Sequence, residues 1–161
     1  MIRIESVLPK SVLREGPIRA ELLREMNRQI DIIDRMYAKT YSTWTHKPVF
    51  KKKIATSANK LEVGTSTDNK IMLFLDDGTK ERYIYPRRAR VLLFRTGFRP
   101  KTNVRTIGSR RGSQSGPLVG AKRVKHKIRA RKWTDEIVKR RQKHYATGMA
   151  RALALGVKRF A

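Results

Sequence analysis

The chain has 161 residues, of which 39 are Lys or Arg and 13 are Asp or Glu, for a formal charge of +26. It contains no cysteine, which excludes disulfide stapling, thiolate zinc sites and a cysteine nucleophile together. The length suits one domain over 1–161 with a core of its own, and no apolar run reaches the roughly 18 residues of a membrane span.

Residues 1–16 mix β-branched residues with Pro9 and read as an extended N-terminal arm leading to a turn at Gly16-Pro17. The start, Met1-Ile2-Arg3-Ile4-Glu5, has no apolar stretch of the secretory-signal kind, so a soluble protein made in a cytoplasm is expected. Ile18, Leu22, Met26, Ile30, Ile33, Tyr37 and Tyr41 then recur at steps of three and four, which predicts a long amphipathic helix over 17–41. Pro17 falls in its first turn, where a missing N–H costs little. From 43 to 94 the period drops to two. Strands are predicted at 49–56, 61–65 and 71–75, separated by Ser57-Ala58-Asn59 and Thr67-Asp68-Asn69 as in an antiparallel meander. Asp76-Asp77-Gly78 closes the third strand as a turn, and 91–94 supplies another strand.

Residues 99–121 form a basic, Gly/Ser/Thr-rich stretch expected as a flexible loop. Its most biased piece, 108–117, has nothing to bury and is expected to order only against a partner. Residues 122–126 return as a strand. Thr134 is placed to cap a C-terminal helix over 134–160, with Asp135 and Glu136 in the first turn, where the helix dipole favours acids. Its apolar stripe is Ile137, Val138, Tyr145, Met149, Ala152, Leu153, Gly156 and Phe160. The fold class expected is α+β, a small antiparallel sheet packed by a long N-terminal helix and a C-terminal helix, with long basic loop excursions.

Charge is unevenly spread. Residues 1–81 carry 15 basic and 11 acidic groups, whereas 82–161 carry 24 basic groups and only Asp135 and Glu136. A body so charged repels itself, so a polyanion or an acidic protein surface is expected to neutralise it. Candidate contacts to DNA or to an acidic partner are Arg105, Arg110, Arg111, Lys122, Arg123, Lys125, Lys127, Arg129, Arg131, Lys132, Lys139, Arg140 and Lys143. Lys51-Lys52-Lys53 and Arg87-Arg88 form further clusters.

Catalytic chemistry finds no footing. His46, His126 and His144 lie in separate segments without ligand spacing, so no metal site is expected. Gly112-Ser-Gln-Ser-Gly116 has Gln where a nucleophile elbow needs serine. Neither Gly-Lys-Ser/Thr nor Gly-x-Gly-x-x-Gly occurs, and Asp76 and Asp77 would point to opposite faces of a strand. No catalytic residue and no cofactor is expected.

Three stretches in order carry a resemblance. They are the 17–41 helix running into Tyr41-Ser-Thr-Trp44 and Lys47-Pro-Val-Phe50, then Leu75-Asp-Asp-Gly-Thr79, then Val124-Lys-His126 followed by Ile128-Arg-Ala-Arg-Lys-Trp-Thr-Asp-Glu-Ile137. Together they resemble the tail-completion, or minor tail, proteins of tailed double-stranded DNA bacteriophages, which sit at the head–tail junction. Gly78 and Thr79 match the family's Gly-Thr pair, His126 its Val-x-His, and Ala130, Arg131 and Trp133 the lead-in to the last helix. The family's Pro-Gly after the histidine is replaced by Lys127 alone, so the turn there must differ.

The resemblance implies a structural virion protein of the neck or tail, assembled in the host cytoplasm. It would form a homo-oligomeric ring, hexameric by analogy, that joins the head connector to the tail tube. Its partners would be other copies of itself, neighbouring portal-adaptor, neck and tail-tube or tail-terminator proteins, and genomic double-stranded DNA in the channel. The rival reading from composition is a small basic nucleic-acid-binding protein of ribosomal or nucleoid type.

Overall fold

A computed structural model describes residues 2–7, 16–56 and 60–160. The expected turn at Ser57-Ala58-Asn59 and the part of the arm at 8–15, with Pro9, lie outside the described residues. Elements in chain order are β1 (Ile2–Val7), α1 (Gly16–Thr40), β2 (Lys51–Thr56), β3 (Lys60–Ser66), α2 (Lys70–Asp77), β4 (Arg82–Ile84), β5 (Leu92–Arg95), β6 (Phe98–Arg99), β7 (Ser113–Gln114), β8 (Leu118–Ala121), β9 (Val124–His126) and α3 (Trp133–Phe160). The fold is α+β, with small antiparallel sheets and long N- and C-terminal helices. One domain was expected; the chain packs as two compact units.

The first unit takes in Met1–Ala38, Val49–Asp68 and Thr134–Ala161. Its sheet has the order β1-β3-β2, all antiparallel, with Ile4 opposite Val63 and Ile54 opposite the same residue from the other side. Alternation places Leu61, Val63 and Thr65 on the buried face of β3. The helical stripe of α1 is buried from Ile18 through Leu22, Met26, Ile30 and Ile33 to Tyr37, and that of α3 at Ile137, Tyr145, Met149 and Ala152. Each buried Ile, Leu or Met among them contributes about 1.5–3 kcal/mol by leaving water. The Phe160 side chain, also placed in that stripe, lies outside the described residues.

Polar contacts fix the registers of this unit. Tyr37 stacks on Phe50 with ring centroids 4.5 Å apart, and its hydroxyl meets the Thr134 hydroxyl at 2.9 Å. Arg159 pairs with Glu21, and Arg141 donates to Gln29. The Arg28 guanidinium holds the Glu25 carboxyl below the usual glutamate value by hydrogen bonding, against the opposing effect of burial. Lysines 51 and 52, read as phosphate-contact candidates, are instead engaged: Lys51 pairs with Asp68 at 2.6 Å, and Lys52 with Asp31 at 2.7 Å and Asp34 at 3.1 Å.

Where α3 meets α1, Gly156 lies so close to Ile18 that an added Cβ would stand 2.6 Å from the Ile18 Cα. In a helix interior Gly→Ala ordinarily gains about 1 kcal/mol. Gly156→Ala is expected to lose stability instead, because the obstructing atom is backbone. A urea midpoint above that of the unaltered chain would contradict the packing.

The second unit takes in Lys39–Pro48 and Asn69–Trp133. Here the expected strand at 71–75 is a helix. A run of five apolar residues, Ile71 to Leu75, has no period to choose between the two forms, and the flanks decide. The Asn69 side chain accepts from the Met72 N–H at 3.0 Å as an N-cap, and Gly78 ends the helix at φ 82°, ψ −178°. Asp76-Asp77-Gly78 therefore terminates a helix rather than a strand.

The expected loop at 99–121 carries β7 and β8. Arg99 pairs with Ser113 and Phe98 with Gln114, and Leu118–Ala121 pairs with β5 from Arg95 back to Leu92. Within 108–117 the Ser109 hydroxyl contacts Ser42 at 2.8 Å and the Lys39 carbonyl at 3.3 Å. Hydroxyls and backbone groups order this stretch without burying side chains, which is why composition reads it as unstructured.

Candidate functional site

The six positions that carry the resemblance converge in the second unit. The backbone of 128–132 runs along the end of α2, where the Leu75 and Asp76 carbonyls accept from the Arg131 and Lys132 N–H groups at 2.9 and 3.1 Å. Those carbonyls would otherwise be unpaired at a helix C-terminus. Thr79 clasps Ile128 twice, its N–H donating to the Ile128 carbonyl at 3.0 Å and its hydroxyl accepting from the Ile128 N–H at 3.0 Å. Gly78 lets the two backbone segments approach: a Cβ there would lie 2.8 Å from the Ala130 nitrogen and 2.9 Å from the Ile128 carbonyl oxygen. With Lys127 alone in place of Pro-Gly, the chain leaves His126, which pairs with Arg82 across β4 and β9, and passes directly into this clasp.

Trp133 completes the hub. It is fully buried, its indole N–H donates to the Asn103 carbonyl at 3.3 Å, and its ring lies 6.1 Å from that of Trp44. Its backbone N–H donates to the Asp76 carboxylate at 2.6 Å. The helix begins at Trp133, one residue before the expected Thr134 cap, and the Trp133 N–H is satisfied by Asp76, 57 residues earlier. The Thr134 hydroxyl meets that of Tyr37.

The cationic candidates divide. Arg105, Arg110, Arg111, Lys122, Arg123, Lys125, Lys127, Arg129, Arg131 and Lys132 belong to the second unit, and Lys139, Arg140 and Lys143 to the first. Several are engaged within the chain. Lys125 pairs with Glu81 at 2.9 Å, Arg123 lies over the Tyr83 ring at 4.9 Å, Arg140 pairs with Glu136 at 2.7 Å, and the Arg110 guanidinium donates to the Pro100 carbonyl at 3.2 Å. Lys139 and Lys143 are exposed one helical turn apart on α3. The second unit as a whole holds 21 basic and three acidic residues, so internal pairing cannot neutralise it.

Lys127, Arg129 and Arg131 come together around a cavity of about 800 Å³ that Lys101 also lines. Its apolar wall includes Trp44, Ile71, Leu75, Phe98, Pro100 and Ile128, and His46 and His126 also reach it. No Asp or Glu lines it. Burial, with the charges of Arg129 and Arg110 nearby, holds Arg131 below the usual guanidinium value. Sequence reasoning passed over Lys101, Ile71 and Phe98 as site residues, because the wall is drawn from four stretches far apart in the chain.

Among the described residues no three or more His, Asp or Glu side chains gather as a metal-binding group, and no helix is long and apolar enough to cross a membrane. No family model matches the chain, and neither a curated protein nor a solved structure gives a significant match.

Proposed function

We propose that this chain is a non-catalytic building block of a tailed-bacteriophage particle. It would form a ring, hexameric by analogy, at the neck or tail end, joining the head connector to the tail tube and completing tail assembly. The observation that supports the reading is the convergence of Gly78, Thr79, Ala130, Arg131 and Trp133. These residues are scattered in the sequence, they carry the resemblance, and they meet in one hydrogen-bonded hub. A scaffold of this kind holds a rigid shape and performs no reaction. The cationic surplus of the second unit then serves docking on acidic neighbours or on DNA in the channel.

The test is where the chain sits and with what. Antibody-gold labelling of particles is expected to mark the portal vertex, and co-expression with neck and tail components to yield a ring-sized complex in light scattering. The rival, a small basic nucleic-acid-binding protein, is favoured by the charge of the second unit alone. It predicts a monomer whose affinity for random duplex DNA falls steeply with salt, by about one log-log slope unit per phosphate neutralised. Finding that behaviour with no label at the vertex would replace the structural reading.

A further inference from the structure

The cavity of the second unit joins two features that do not ordinarily share a surface. Ile71 is 64% exposed and Phe98 62% exposed, a cost unless something apolar covers them. Around them stand Lys101, Arg129 and Arg131 with no carboxylate in the lining. Arg131 is half-buried, and its Nε is screened from solvent with no acceptor among the described residues. The burial of Nε fixes the guanidinium in place at the cavity lining, and a carboxylate is the planar acceptor that suits such a group.

We propose that this cavity is a docking groove for a peptide segment of a neighbouring protein, one that carries carboxylates beside an apolar anchor side chain. The proposal rests on the building-block reading and specifies its partner chemistry. Charge complementarity supplies the carboxylates, since four cations face the space and no anion does. The wall supplies the anchor. Phosphates drawn by charge alone have no use for Ile71 and Leu75, and because Trp44 and Phe98 also offer aromatic faces to a base, the oligothymidylate competition below separates the two ligands. The volume is within the range of pockets that hold a few side chains. An anchor over Ile71 and Phe98 would set its flanking carboxylates against Arg129 and Arg131.

The test uses the full chain and a fluorescein-labelled hexapeptide alternating glutamate with leucine or phenylalanine, read by anisotropy at physiological salt. Binding is expected. It should weaken about tenfold, or 1.4 kcal/mol, when the apolar positions become serine, and by a similar factor in the chain carrying R129Q and K101Q. Both side chains are exposed, so the fold should persist and far-UV circular dichroism verifies it. Ile71→Ser reads the wall separately and should weaken the leucine peptide while leaving the serine peptide unchanged. Equal binding of the two peptides, indifference to R129Q/K101Q, no binding at all, or displacement of the peptide by a tighter-binding oligothymidylate would each overturn the proposal. A chain that captures no peptide yet labels the portal vertex loses only the groove; one that captures peptide but is absent from particles loses the larger reading.

Discussion

Replacing Trp133 with alanine is expected to remove about 3–5 kcal/mol of stability, the usual cost of emptying a fully buried aromatic site. Against a total of about 5–15 kcal/mol for a native protein, that is a large fraction. The reason is specific to this residue. Its ring is sealed from solvent beside Trp44, and its indole N–H satisfies the Asn103 carbonyl. Truncation therefore leaves both a void and an orphaned acceptor. Urea unfolding followed by far-UV circular dichroism should show the midpoint falling by about 2 M, or no folded baseline at all. Trp133→Phe keeps most of the ring and gives up the hydrogen bond, at about 1 kcal/mol plus a smaller void. An alanine variant that unfolds with the native midpoint would mean that the hub is not formed as described.

Gly78→Ala should be the next most damaging substitution, for two reasons that act together. The backbone there, at φ 82° and ψ −178°, is in a region that side-chain-bearing residues occupy only at about 1–3 kcal/mol. The added methyl would also press on the Ala130 nitrogen and the Ile128 carbonyl, both main-chain atoms that cannot rotate away. Relief requires parting the Thr79–Ile128 clasp, which forfeits two hydrogen bonds, so the sum is about 2–4 kcal/mol. Asparagine gives no relief here, because its tolerance of positive φ is confined to the αL region and ψ −178° lies far outside it. Gly78→Asn is therefore expected to be at least as damaging as Gly78→Ala. A neutral Gly78→Ala would contradict both.

The parts of this fold that were legible in the sequence are those where burial imposes a period. The α1 stripe from Ile18 to Tyr37 is buried as spaced, the α3 stripe is buried at Ile137, Tyr145, Met149, Ala152 and Gly156 with Val138 and Leu153 half-buried, and β2 and β3 lie within two residues of the predicted strands. Segment 71–75 misled because only Met72 of its apolar run is buried, so neither face carries a signal. The partner of the Trp133 N–H could not be read locally, since Asp76 reaches it through space.

Charge was legible in sign and not in assignment. Nothing in the sequence separates Lys125, held by Glu81, from Arg131, whose Nε has no acceptor among the described residues. The motif residues were legible as a set, and their meeting place was not, because the backbone bonds that join α2 to 128–132 leave no trace in composition.

Among the described residues the paired segments from β4 onward are two-stranded, so every strand there forms a rim of its sheet. Such rims template growth by strand addition unless something forbids it. Here Arg95 and Arg99 stand on β5 and β6, amid a unit-wide surplus of like charge, so unguided growth from these rims is opposed by repulsion.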